Sequence, residues 1–302
     1  EVVAMRKAKG LGTILILLIA AIVLSACSGK GGGNKIRLGE VTRSIFYAPL
    51  YVALSQDFFK DVGLEVEFQT IPGGDKVTTA LLSDQIDIAL VGAETSIYVY
   101  RQGTDDPLIN FAQLTQTDGT FLVSRNKIDS FDWSMLKGST FLGQRKGGMP
   151  QMAGEFTLKK HGIDPQQDLY MIQTVEFANI PSAFASGTGD FVQLFEPQAT
   201  VFEKEGRGYV VASFGVESGR LPYTVFMTKQ SYIKQHEANI QKFTDALYRA
   251  QQWVMAQSTN QIASAILEYF PETDESIIQA VVERYKSQGS YATAPIIDDE
   301  EW

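Results

Sequence analysis

Between residues 36 and 91 the hydrophobic period of this chain switches repeatedly between two and 3.6, and no other feature narrows the possible folds as far. A strand is predicted at Ile36-Arg37-Leu38-Gly39. Pro49 suits the first turn of a helix, where its missing N–H has no partner to lose, and Leu50, Ala53, Leu54 and Phe58 fall on one face before Gly63 closes the element. Leu64, Val66 and Phe68 then alternate with Glu65, Glu67 and Gln69, which predicts a strand with one wet face. Asp75, following Gly73-Gly74, is placed to cap a helix carrying Val77, Leu81 and Leu82. Ile86, Ile88, Leu90 and Val91 make a further strand, apolar enough for a parallel sheet. Strands separated by helices in this way predict an α/β fold of doubly wound sheets.

The alternation resumes after Gly119, with strands predicted over 121–124, 139–142, 169–175, 191–195 and 209–212 and helices over 152–161 and 181–186. The block 233–289 reads as nearly continuous helix, broken at Pro271, and no solenoid repeat is present. In Lys159-Lys160-His161-Gly162 the basic residues offset a helix dipole and the glycine ends the helix, which gives His161 a structural role.

Composition excludes several functions. With 26 Lys plus Arg against 35 Asp plus Glu, the formal charge of −9 argues against nucleic-acid binding. The two histidines, His161 and His236, stand in no metal-ligand spacing, and neither a Gly-x-Ser-x-Gly elbow nor a phosphate-binding Gly-Lys-Ser/Thr loop occurs. No metal or cofactor is expected. A binding protein fits these residues before an enzyme does.

The N-terminal segment carries an address. Arg6, Lys7 and Lys9 precede an apolar run over 11–23 that is too short to span a bilayer comfortably, the arrangement of an export signal, for which Met5 is the natural start. Leu24-Ser25-Ala26-Cys27 resembles the bacterial lipobox, which predicts a signal peptide over 1–26, acylation of the sole cysteine, Cys27, and a glycine-rich flexible tether over 27–35. Two acyl chains on one residue supply the double anchor that one chain cannot, so the protein is expected on the extracytoplasmic face of the cell membrane, tethered but not embedded.

Phe46-Tyr47-Ala48-Pro49-Leu50-Tyr51-Val52-Ala53, the run from Asp57 to Val66, Ala80-Leu81-Leu82-Ser83-Asp84-Gln85-Ile86-Asp87-Ile88-Ala89 and the dipeptide Glu196-Pro197 together resemble the substrate-binding proteins of bacterial sulfonate, nitrate and thiamine-pyrimidine importers. The resemblance covers nearly the whole chain beyond the tether. It implies a two-lobed periplasmic-binding-protein fold of type II, with lobe 1 formed by 36–117 and 223–302 and lobe 2 by 118–222. It further implies a monomer that passes a small solute to an ABC permease and its ATPase. The same fold serves a pyrimidine synthase of thiamine formation, which is the enzymatic alternative; a ligand-sensing subunit is a third.

Ligands in open α/β sheets bind beyond the carboxyl ends of the strands, beside helix N-termini. Four segments occupy such positions here: 42–47, 92–96, 144–151 and Glu196. Within them Phe46 and Tyr47 are expected to stack on a flat ligand or to pack beneath Pro49. Gly147-Gly148 opens either a helix whose free amides suit an anion or a simple turn, Gly148 and Met149 are counted as ligand-binding residues, and Arg145 and Lys146 beside them read as surface. Glu94 and Glu196 are expected to accept hydrogen bonds from ligand amino groups, with an interlobe salt bridge as the other reading of each. Ser44, Thr95, Tyr223 and Thr224 offer neutral donors. Two inward acids would favour a nitrogen-bearing solute over nitrate or a simple sulfonate.

Overall fold

The computed structural model describes residues 33–302; the predicted signal peptide, Cys27 and the first part of the tether lie outside the described residues. The first strands are β1 (Lys35–Glu40), β2 (Glu65–Thr70), β3 (Ile88–Gly92) and β4 (Leu108–Thr115). The next are β5 (Thr120–Ser124), β6 (Thr140–Leu142), β7 (Tyr170–Ile172), β8 (Phe191–Phe195) and β9 (Tyr209–Ser213), followed by β10 (Thr224–Lys229). They form two five-stranded sheets, ordered β2-β1-β3-β10-β4 and β7-β6-β8-β5-β9. Both are mixed: β1 runs parallel to β3, and β6 to β7 and β8, whereas β10 and β5 are antiparallel to their neighbours. Ile88, Ala89, Leu90 and Val91 are all buried, which is why the β3 segment is apolar without alternation.

Helices cover both sheets. α1 (Ala48–Ser55), α2 (Phe58–Asp61), α3 (Gly74–Leu82) and α4 (Glu94–Arg101) belong to the first stretch, and α5 (Met149–Lys160), α6 (Ile180–Ala185), α7 (Gln198–Lys204) and α8 (Phe214–Ser218) to the middle. α9 (Gln230–Ala256), α10 (Thr259–Ile266) and α11 (Glu275–Ser287) form a helical C-terminal block. Among the described residues no helix is long and apolar enough to cross a membrane.

Local chemistry explains where the elements depart from the predicted ones. The helix opened by Pro49 does not reach Gly63 unbroken: Asp57 adopts a left-handed conformation (φ 57°), which an acidic residue tolerates, and divides it into α1 and α2. Gly73, at φ 111°, is the N-cap of α3, so Asp75 lies in the first turn and does not cap the helix. The C-terminal block breaks at Ser258 as well as around Pro271, because Ser258 and Gln261 form a reciprocal capping box that starts α10. Strands β4 and β10 have no counterpart in the predicted pattern. His161 ends α5 before Gly162 (φ 71°); its ring also stacks on Trp133 at 4.4 Å, and Nε2 lies 2.8 Å from Glu217.

The chain passes from the first sheet to the second between Thr115 and Thr120, and returns between α8 and Thr224. An aromatic core fills the space beside these passages. Phe46 is fully buried, with ring centroids 4.9 Å from Tyr285, 5.7 Å from Tyr223 and 6.0 Å from Phe195. A side chain on Gly119 would bring its Cβ within 2.7 Å of the Phe46 ring, so this passage needs glycine.

Candidate functional site

The strand ends converge because of the two antiparallel strands. Thr224, at the start of β10, pairs with Gly92 at the end of β3, and Thr120, at the start of β5, pairs with Phe195 at the end of β8. Both passages between the sheets therefore lie where the parallel strands terminate. A cleft of about 730 Å³ opens there, lined from one side by Val41, Thr42, Tyr47, residues 72–76, Val91, Gly92, Glu94 and Thr95, and from the other by residues 144–150 and 176–178. Helices α3, α4 and α5 begin at its wall with Gly74, Glu94 and Met149, so three helix starts face the space.

Glu94 departs from ordinary surface chemistry. It is 7% exposed and lines the cleft, and its Oε1 accepts a hydrogen bond from the backbone N–H of Met149 at 2.9 Å. That bond joins the start of α4, beside the first sheet, to the start of α5, beside the second. The second oxygen, Oε2, is buried without a hydrogen-bond partner. Burial pushes the Glu94 carboxyl up to about 7, against the downward pull of the backbone N–H groups that bind it. Burial likewise raises the phenols of Tyr47 and Tyr223, with the Glu94 charge adding a smaller push, so both stay protonated donors.

Of the residues marked from the sequence, Tyr47, Glu94, Thr95, Gly148, Met149, Tyr223 and Thr224 line the cleft together. Ser44, Phe46 and Glu196 stand elsewhere. Ser44 Oγ accepts from Phe46 N at the start of a short turn, and Phe46 packs in the aromatic core beside the sheet passages. Glu196 is buried away from the cleft, where Oε1 accepts from Arg284 Nη1 (2.7 Å) and Thr200 Oγ1 (2.9 Å) and Oε2 accepts from Thr200 N (2.9 Å). Its partners come from α7 and α11, which consume its capacity as a salt bridge. Thr95 Oγ1 donates to Gly92 O at 3.0 Å.

Other lining residues escaped the sequence reading. Tyr98 and Gln102 follow Glu94 at intervals of four, a helical face that the strand-end argument did not extend. Pro72 and Gly73 follow β2, and Phe177 follows β7, whose ends also open on the cleft. Arg145 is not solvated surface alone: Nη1 bonds Glu176 at 3.0 Å, and Nη2 lies 3.5 Å from Asp75 across the cleft. Among the described residues no cluster of His, Cys, Asp or Glu suits a metal ion.

Against known proteins, a family model described as the NMT1-like family matches residues 32–268. The chain is 60% identical over 279 residues to a protein of Bacillus subtilis (strain 168) named "Putative binding protein YtlA", covering 92% of this chain and 84% of that one. Among solved structures it is similar to the alkanesulfonate-binding protein SsuA from Xanthomonas axonopodis pv. citri bound to MOPS, with a TM-score of 0.71, 17% identity and 88% of each chain covered. It is also similar to the periplasmic nitrate-binding protein NrtA from Synechocystis PCC 6803, with a TM-score of 0.70, 19% identity, 89% of this chain and 74% of that one. The two-sheet architecture is that of periplasmic binding proteins.

Proposed function

The chain belongs to the NMT1-like family, and from that premise we propose that it is the extracytoplasmic solute-binding protein of an ABC importer. The observation that carries the reading is the cleft itself, formed where the strand ends of both sheets meet and linked across by Glu94 and Met149. A pocket of this size takes a small molecule and buries most of it. Residues 36–117 with 223–302 form one lobe and 118–222 the other, hinged at the two passages, and closure traps the solute. The names of the B. subtilis relative and of the SsuA and NrtA structures support capture of a solute over chemistry on it. An organosulfonate, a nitrate-like anion and a thiamine-precursor pyrimidine are the solutes to test. Acylated Cys27 holds the monomer to the membrane, where it meets the permease and ATPase.

The test is a thermal melt of the full chain in detergent with each of those solutes. A solute bound only by the folded state raises Tm by mass action, in proportion to the logarithm of its concentration. Gly148 has extended backbone angles, and a Cβ there would meet only Pro150 Cδ at 3.5 Å, so Gly148→Phe fills the cleft without straining the chain. The expected result is a Tm rise with one solute that Gly148→Phe abolishes. No rise with any of them, or a rise that survives Gly148→Phe, defeats the proposal.

A further inference from the structure

Asp118 stands in the first passage between the sheets and Tyr223 in the second, and both are buried. Asp118 Oδ1 takes the backbone N–H and the hydroxyl of Thr120, whereas Oδ2 has no hydrogen-bond partner. The Tyr223 hydroxyl has none either. Each group nonetheless acts on the other: the Tyr223 hydroxyl draws the Asp118 carboxyl down, and the Asp118 charge pushes the Tyr223 phenol up. The two passages therefore face each other through a carboxyl–phenol bond that is not made while Glu94 and Met149 are joined across the cleft. Leaving a buried donor and a buried acceptor unpaired costs free energy on both sides.

Nothing else around Asp118 answers a charge on it. From α11, Tyr285 sends its hydroxyl to Gly119 O at 2.8 Å, and the Asp118 charge raises that phenol too. α8 meets Asp118 with Gly215, where a side chain would strike Asp118 O, and Ser290 Oγ lies 2.8 Å from Thr117 Oγ1; neither residue titrates. At the end of β8, Glu196 is paired with Arg284, the cation of this region, which also bonds Glu203. Beyond Tyr223 lie Tyr47 and Glu94. Tyr223 itself lines the cleft, so a movement of its hydroxyl is a movement of the cleft wall.

We infer that Asp118 couples solute capture to pH: as an uncharged acid it tolerates the joined lobes, and as a carboxylate it draws the Tyr223 hydroxyl to Oδ2, which shifts the second passage and parts the lobes. Its consequence, tighter capture at acid pH, rests on the solute-binding reading of the cleft. Asp118 is a positioning residue, because it acts on the cleft through Tyr223. Burial holds its carboxyl at about 7 with the lobes joined, against 3.8 for an ordinary aspartate, so joining takes up a proton between those values. The favour shown to the joined form is complete below about pH 4 and is lost as pH rises through about 7. Glu94, raised to about 7 by burial, adds an effect of the same sign.

Spin labels on Ser83→Cys and Asn179→Cys test this in the full chain carrying Cys27→Ser, in detergent and without solute. Both positions are exposed, on opposite lobes and outside the cleft lining. Double electron–electron resonance reads the interlobe distance directly. Between pH 5 and pH 8 the ratio of short to long distances is expected to fall at least about tenfold. Asp118→Asn, uncharged at every pH, is expected to cut that fall to about threefold or less, with Glu94 supplying the remainder, and to hold more joined molecules at pH 8 than its parent. A gain of joined molecules cannot come from misfolding. Distances that ignore pH, that shorten as pH rises, or that respond equally with and without the Asp118 carboxyl overturn the assignment. Solute capture is judged separately by the melts, because the labels report the hinge with the cleft empty.

Discussion

Asp118 lies in the passage from β4 to β5 with Oδ1 bonded to Thr120 N at 2.5 Å and also to the Thr120 hydroxyl, while Oδ2 is buried without a partner. Burial pushes this carboxyl up from 3.8 to about 7, although the Thr120 bonds pull it down. The folded chain therefore holds a proton that the unfolded chain releases over that interval. The resulting stabilisation is complete below about pH 4 and is lost as pH rises through about 7. Glu94, raised from 4.5 to about 7, acts in the same direction. Urea unfolding is expected to show stability falling between pH 5 and pH 8, with Asp118 contributing at most about 3 kcal/mol. Asp118→Asn should remove about half of the slope; parallel pH profiles for variant and wild type would clear Asp118 of the effect. Glu196 makes a contrasting prediction. Burial raises its carboxyl while Arg284 pulls it down, and the pair ties α7 to α11, so Glu196→Gln should cost about 1.5–3 kcal/mol in the same assay. Solute affinity should stay unchanged, because Glu196 does not line the cleft. A selective loss of binding at wild-type stability would refute this placement.

The strands and helices with a clear period were legible before any coordinates, and those defined by distant partners were not. β2, β3 and β8 follow their side-chain patterns closely, since alternation or continuous burial marks each one locally. β4 and β10 pair with each other, and β10 inserts between β3 and β4 after the chain has built an entire second sheet. Nothing local in Thr224 to Lys229 records that return. The candidate site divided for the same reason. Strand-end logic placed Tyr47, Glu94 and Met149 at the cleft, but it could not tell a ring facing the cleft from one facing the core, so Phe46 and Glu196 were marked beside them. The break before α10 is a subtler case, because Ser258-x-x-Gln261 is a helix-start signal lying inside a stretch otherwise readable as one helix. Ser258→Ala removes the Gln261 N–H bond to the hydroxyl, leaves the Ser258 N–H bond to Gln261 Oε1, and should lower unfolding free energy by about 1 kcal/mol. Chemical denaturation measures it, and a change under a few tenths would mean that packing of Ile262, Ala263 and Ile266 holds α10 by itself.

The bonds that cross the cleft between the two sheets differ in burial. The Glu94–Met149 bond is buried, while the Asp75–Arg145–Glu176 chain at the rim is exposed and open to screening. An exposed ion pair contributes at most about 1 kcal/mol, which converts to roughly a fivefold change in the population of open molecules. Arg145→Ala should therefore favour opening without unfolding anything. The Met149 amide reports it directly, since its bond to Glu94 breaks when the sheets part, and hydrogen exchange there should accelerate by up to about fivefold in the variant. Raising salt to about 0.5 M should produce a similar acceleration in the wild-type chain and little further change in Arg145→Ala, because the Debye length falls well below 10 Å. Amides of β3 and β8 should exchange at unaltered rates in both proteins, as their ladders lie inside single sheets. If Met149 exchanges at the same rate with and without Arg145, the rim pair carries no closing free energy.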